Sequence, residues 1–286
     1  MKTLFASLYL ILCASLCHAQ YWQQNVNYTM EVSLDVETAK YRGEQKLVYT
    51  NNSPETLHKV FYHLYFNAFK PESEMAIRLK NAGDKNRRFK VDLDTLSPEQ
   101  QGYLKIGKIT QNGVAVEVVD SETILEVTLN KPLLPGDSTT LNLTFEGQVP
   151  DVIRRAGKNS SEGVAFSMAQ WYPKMAEYDL EGWNTDPYTG REFHGVWGDF
   201  DVKITLDKAY TIAASGYLQN ADDIGKGYSD RKRPKSKGGN VTWHFIAPQV
   251  HDFTWAADSD YIHDTYPGPR GVTLHFFYKN DPEIVE

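Results

Sequence analysis

Alternation of apolar and polar residues with a period of two runs through most of this chain, and it constrains the fold more than any other feature. Tyr28, Met30, Val32 and Leu34 alternate with polar neighbours, as do Leu125, Val127 and Leu129, and then Leu141, Leu143 and Phe145. Successive side chains of a strand point to opposite faces, so each run predicts a strand with one face in a core and one toward water. Residues 44–50, 59–65, 103–110, 114–119, 201–206, 211–215, 241–246, 252–257 and 272–278 read the same way. Turn chemistry separates them, as in Asn51-Asn52-Ser53-Pro54, Gln111-Asn112-Gly113 and Leu134-Pro135-Gly136-Asp137. Short connections of this kind favour antiparallel hairpins in two packed sheets. Helix is scarce: Ser73 to Lys80, behind Pro71, predicts about two turns, and Ser97-Pro98-Glu99-Gln100-Gln101 one more. The expected fold is all-β, a large antiparallel β-sandwich with one or two short helices.

The first 19 residues have the pattern of an export signal. Lys2 is followed by an apolar run from Leu4 to Leu16, and Cys17-His18-Ala19 forms a small-residue cleavage site before Gln20. The run is shorter than the roughly 20 residues that span a bilayer, and leucine precedes both Cys13 and Cys17, against lipid attachment. A soluble periplasmic or secreted location follows, with no membrane span. Cys13 and Cys17 are the only cysteines, so the mature chain would carry neither disulfide nor thiolate chemistry. A net charge of −7 argues against a nucleic-acid partner. The basic run Arg231 to Lys237, with its Pro and Ser, reads as a solvated hairpin tip.

Between the two strand-rich halves lies a block that connections normally avoid. Ala169 to Asp201 gathers Trp171, Tyr172, Trp183, Tyr188, Phe193, Trp197 and Phe200, interleaved with Gly182, Gly190, Gly195, Gly198 and Pro187. Such a crossing is expected to present surface to something. Conventional catalytic motifs are absent: none of the eight histidines has an i, i+4 partner on a helix, and no serine or cysteine sits in a nucleophile elbow. His251-Asp252 and His263-Asp264 are adjacent in strands and so point apart. Asp199 and Asp201 share a strand face, as a cation site or glycosidase pair would, but acids at strand starts are usually solvated. No catalytic or metal-ligating residue is expected in this chain. One functional reading is an exported noncatalytic binding module, with Trp171, Trp183 and Trp197 as a carbohydrate platform.

The other rests on a resemblance. Met168-Ala169-Gln170-Trp171-Tyr172-Pro173-Lys174-Met175, then Gly195-Val196-Trp197-Gly198-Asp199-Phe200-Asp201-Val202, then Ala247-Pro248-Gln249-Val250-His251-Asp252-Phe253-Thr254-Trp255-Ala256 resemble the N-terminal domain of exported bacterial aminopeptidase N-like zinc metallopeptidases, the gluzincin aminopeptidases. The resemblance implies a saddle-like β-sandwich over residues 20–280, forming one wall of a peptide-substrate cleft. Residues 281–286 would begin a linker to a catalytic domain absent from this sequence. It also implies that Gln170 contacts substrate, and that zinc is bound in the full-length protein by ligands outside this chain, leaving this segment inactive alone. Two positions after the glutamine, where many relatives carry an acid or amide for the substrate amino group, this sequence has Tyr172. Amino-group recognition would then fall to other residues.

Overall fold

The computed structural model describes residues 21–82, 92–151, 155–189, 194–236 and 238–280. The expected signal peptide and the 281–286 linker lie outside the described residues, as do Phe193 and Lys237. The alternating runs become strands. In the N-terminal half these are β1 (Asn25–Asp35), β2 (Lys40–Thr50), β3 (Leu57–His63), β4 (Tyr103–Gln111), β5 (Val114–Ala115), β6 (Glu117–Ser121), β7 (Ile124–Leu133) and β8 (Ser138–Gln148). The glycine-rich middle allows only short ones: β9 (Gly157–Lys158), β10 (Phe166–Met168), β11 (Lys174–Met175), β12 (Tyr178–Asp179) and β13 (Gly182–Trp183). The C-terminal half contributes β14 (Gly198–Asp207), β15 (Thr211–Ala214), β16 (Tyr217–Leu218), β17 (Asn240–Val250), β18 (Trp255–Asp258), β19 (Ile262–Pro267) and β20 (Thr273–Tyr278).

One sheet has eight strands in the order β16-β17-β14-β1-β2-β8-β4-β5, and two have four, β15-β18-β10-β9 and β11-β3-β7-β6. Tyr28, Met30, Leu47 and Phe200 from the large sheet, Val60, Tyr62 and Val127 from one small sheet, and Ile212, Trp255 and Ala257 from the other share one continuous core. This is the expected sandwich, with one correction. The central pair β1–β14 is parallel, in register from Val26↔Gly198 to Ser33↔Thr205. No tight turn can join parallel neighbours, and here the whole N-terminal half and the aromatic block form the connection.

The helices also follow their local signals in part. α1 (Glu74–Ala82) begins where Ser73 caps it, its Oγ accepting from Ala76 N–H at 3.1 Å. Residues 97–101 make a turn, with Gln100 N–H donating to Ser97 O at 2.9 Å, and not a helix. A four-residue helix, α2 (Ala221–Ile224), carries no amphipathic pattern long enough to be read from sequence.

Candidate functional site

The aromatic block is hung from the large sheet by side chains that reach its backbone. Tyr41 OH donates to Trp171 O at 2.6 Å, Gln45 Nε2 donates to Pro173 O at 2.8 Å, and Met175 N–H donates to Tyr28 OH at 2.8 Å. β11 then pairs with the edge of β3, Lys174 opposite His63 and Met175 opposite Tyr62. The rings turn inward: Trp171 and Tyr172 are fully buried, and Tyr28 stacks on Phe200 at 4.6 Å. The expectation that the block displays its rings is thereby corrected. Most of them fill this chain's own core, because an aromatic ring removes more apolar surface from water than any other side chain. Trp197 is the exception at 46% exposed, lying against His251. The carbohydrate platform does not form, since Trp171 is inside, its Nε1 donating to Phe253 O at 3.1 Å, and Trp183 is half-buried against Tyr178.

Drawing this block inward also buries charge. Lys174 Nζ lies 3.3 Å from Asp252 Oδ2, with side chains only 2% and 11% exposed. Asp252 Oδ1 accepts from Tyr172 OH and from Phe253 N–H, both at 2.9 Å. A Cβ on Gly195 would stand 2.8 Å from Lys174 Nζ, so the ammonium is roofed by a residue that has room only as glycine. Burial pulls the Lys174 ammonium down in pKa while Asp252 pulls it up, and burial followed by Asp252 pushes the Tyr172 phenol well up. These are one coupled group: an ion pair, a phenol and a backbone amide meeting on one carboxylate.

Two more buried ionisable groups lie close by. His63 Nε2 donates to Asn184 O at 3.0 Å and its ring stacks on Tyr65 at 4.9 Å; burial takes its pKa down to about 4, opposed by the Asn184 carbonyl. Glu177 is 5% exposed, and burial raises its carboxyl to about 7, against the Tyr178 N–H, which lowers it. The two act oppositely on stability. A depressed histidine has its full contribution above the unfolded value of 6.5 and loses it as pH falls toward 4. A raised carboxyl has its contribution below 4.5 and loses it as pH rises through 7. Glu177→Gln removes the second effect only. Relative to the parent, that variant should gain stability by up to about 3 kcal/mol between pH 4.5 and 7.5. Urea unfolding at both pH values checks this, and a difference that stays flat contradicts it.

The remaining candidates separate. Gln170 adopts φ 60° and is 1% exposed, with its Nε2 buried and without a hydrogen-bond partner. Tyr172 lies two positions further on, but its hydroxyl is committed to Asp252. As positioned, neither side chain is open to a ligand. Asp201 meets His244 Nε2 at 2.8 Å, whereas Asp199 accepts from Gln249 N–H at 2.9 Å, so the acidic pair is occupied residue by residue. His251 and Asp252 diverge, one to Trp197 and one to Lys174, but they lie in the connection between β17 and β18 and not in a strand as expected. His263 and Asp264 also part, one to His275 and one to Tyr278. The described part of the basic run is solvent-exposed at Arg231, Lys232, Arg233 and Lys235, as expected, with Arg231 Nε donating to Asp222 O at 2.6 Å and Lys235 pairing with Asp223 at 3.6 Å. Lys174 and Glu177 were not singled out from the sequence. The available signal was a lysine inside the apolar stretch Trp171-Tyr172-Pro173-Lys174-Met175-Ala176. Among the described residues no group of three or more His, Cys, Asp or Glu side chains gathers to hold a metal ion. These residues therefore do not fit a zinc site.

No family model matches the chain, and no curated protein matches it. Solved structures do. The M1 zinc metallopeptidase from Deinococcus radiodurans overlays with a TM-score of 0.51 at 16% identity, covering 91% of this chain and 48% of that one. A variant of the Deinococcus radiodurans enzyme bound to a Tyr-Ser-Ala substrate overlays with a TM-score of 0.51 at 17% identity, over the same shares. A two-domain M1 zinc metallopeptidase variant bound to L-arginine matches with a TM-score of 0.51 and 16% identity, again over 91% and 48%. The chain therefore has the fold of part of these M1 zinc metallopeptidases and spans about half their length.

Proposed function

We propose that this chain is the N-terminal substrate-cleft and scaffold domain of an exported zinc-dependent metallo-aminopeptidase, acting on peptides together with a catalytic domain that follows it. The observation that carries the reading is the likeness in fold to M1 zinc metallopeptidases over 91% of the chain, one of them bound to a tripeptide substrate. The sequence resemblance through Met168 to Met175, Gly195 to Val202 and Ala247 to Ala256 supports it independently. Gln170 is proposed as the substrate contact. A buried amide N–H without a partner costs roughly 1–3 kcal/mol, and a left-handed backbone at a non-glycine residue adds strain. A peptide carbonyl that met the amide after a side-chain rotation would relieve the first cost. Zinc would be held by residues of the following domain, where it would supply Lewis-acid activation of the scissile carbonyl.

The test uses the 286-residue chain beside the chain extended by its downstream coding sequence. The extended protein should release amino acids from chromogenic amides and stop doing so when zinc is chelated; the shorter chain should release none. Gln170→Ala in the extended protein should raise KM about tenfold, the equivalent of one lost hydrogen bond. Chelator-sensitive hydrolysis by the shorter chain would sink the proposal.

A further inference from the structure

β19 and β20 form a two-stranded sheet that pairs with no other described strand. Isolated hairpins are marginal in water, so the contacts that hold this one to the body decide whether it stays ordered. The register sets His263 opposite Phe277 and Thr265 opposite His275, which places both histidines on one face. There they meet: His263 Nε2 lies 2.8 Å from His275 Nδ1, with ring centroids 5.1 Å apart and planes differing by 25°, so the two nitrogens face each other nearly in the ring planes. On its other side His263 Nδ1 donates to Lys226 O at 3.0 Å. The segment after α2 comes this close because Gly227, at φ 84°, has no Cβ, which would stand 2.7 Å from His263 Nδ1. The His263 ring packs on Phe277 at 4.2 Å and on Tyr228 at 4.3 Å, and Tyr228 OH donates to Ile212 O at 2.9 Å.

A carbonyl oxygen only accepts, so the Lys226 contact fixes the proton of neutral His263 on Nδ1 and leaves Nε2 as an acceptor. The contact with His275 then requires an N–H on His275 Nδ1. A first added proton goes to the remaining nitrogen of His275, whose ring is exposed, and the bond between the rings becomes charge-assisted. A second has only His263 Nε2 to go to, where it destroys the acceptor and sets two N–H groups and two imidazolium charges face to face. The surrounding groups leave this conflict in place. Asp264 belongs to the opposite face of the hairpin and accepts from Tyr278 OH. Lys226 turns its ammonium to Ala209 O at 2.7 Å, Tyr228 offers a neutral ring, and Tyr261 packs on Phe277 at 6.1 Å. Lys279, past the end of β20, pairs with Asp258 at 3.1 Å and Asp260 at 3.6 Å. Burial lowers the pKa of His263, the Lys226 carbonyl opposes it, and His275 adds to the lowering. The contribution of His263 is therefore complete above its ordinary value of 6.5 and is lost as pH falls below it, through the lowered one.

We propose that His263 and His275 form an acid-sensitive latch, which holds the last hairpin against the segment after α2 while at most one of the two rings is charged and releases it when both are. The movement is confined to one end. Lys279 donates to Gly163 O at 2.8 Å and pairs with Asp258, a contact that survives mild acid because a carboxylate keeps its charge below the pH at which imidazoles take theirs. The hairpin stays tethered beside Ile262 and Tyr278, and its turn end swings. The response is also local. His63, buried in the body, takes its proton only near pH 4, so the latch opens while the sandwich is intact.

Amide hydrogen exchange of the 286-residue chain at pH 7.5 and 5.0, corrected for the intrinsic pH dependence of exchange, tests this. An undocked hairpin frays, so protection of β20 should fall about tenfold at pH 5.0 while that of β1 stays unchanged. His275→Gln supplies an uncharged amide that donates to His263 Nε2 or accepts from it, and should keep protection at pH 5.0 equal to that at pH 7.5. Nitrogen-15 spectra of the parent imidazoles, which need no variant, should show His263 Nε2 without a proton at pH 7.5 and protonated over the interval in which the hairpin loses protection. Equal protection of β20 at both pH values overturns the proposal, as does a parallel loss in β1, which is general acid unfolding. A loss that persists in folded His275→Gln, or that is complete before His263 Nε2 takes a proton, assigns the response to another group and overturns it too.

Discussion

Asp252→Ala should lower the stability of the chain by about 3–5 kcal/mol, because it removes the carboxylate that pairs with the Lys174 ammonium in a buried site. The lysine is 2% exposed, and Gly195 closes over it within contact distance. The same change removes the acceptor of Tyr172 OH and Phe253 N–H. Three groups lose one partner, and all three belong to residues no more than 2% exposed. The cause can be separated from simple loss of packing. Asp252→Asn with Lys174→Met removes both charges, keeps a side-chain carbonyl for the phenol, and should recover to within about 1–2 kcal/mol of the parent. Denaturant unfolding of the single and double variants measures both quantities. A cost below about 1 kcal/mol for Asp252→Ala would mean that the pair is effectively solvated.

Gly198→Ala should be comparably damaging for a steric reason. Gly198 stands opposite Val26 where the parallel β1–β14 pair begins, and a Cβ there would lie 1.7 Å from Val26 O and 2.6 Å from Val26 C. Both contacts are backbone, so no side-chain rotation relieves them. The seam itself must open, at the only place where the two halves of the sequence join within the eight-stranded sheet. A cost of about 3 kcal/mol or more is expected, which for a chain of this size lowers Tm by about 6–12 °C. Gly238→Ala is the control, since a Cβ there meets nothing within 4 Å, and it should stay within about 0.5 kcal/mol of the parent. Thermal unfolding followed by circular dichroism compares them. Equal melting of the two variants would show that the seam tolerates displacement.

The aromatic block shows where reading residues in order is strong and where it stops. Its position between two strand-rich halves, its structured character and the resemblance of Met168 to Met175 to a peptidase motif were all visible in the sequence. The side on which its rings would lie was not. Burial of Trp171 depends on Tyr41 and Phe253, 130 and 82 residues away, and neither separation leaves a local trace. Glu177 and His63 likewise gain unusual acidities from surroundings assembled by distant strands.

What the sequence determined by itself was everything that follows from local periodicity and turn chemistry: an all-β chain, its long strands, the capped start of α1 and the divergence of His263 and Asp264 within β19. These depend on side-chain alternation and on conformational preferences over a few residues, which travel with the chain. Only the tertiary structure decided the parallel seam, the buried Lys174–Asp252 pair, the placement of Gln170 inside and the meeting of His263 with His275 on the last hairpin. Each arises from contacts between segments far apart in sequence, where backbone closure, exclusion of water and competition for one core volume set the outcome.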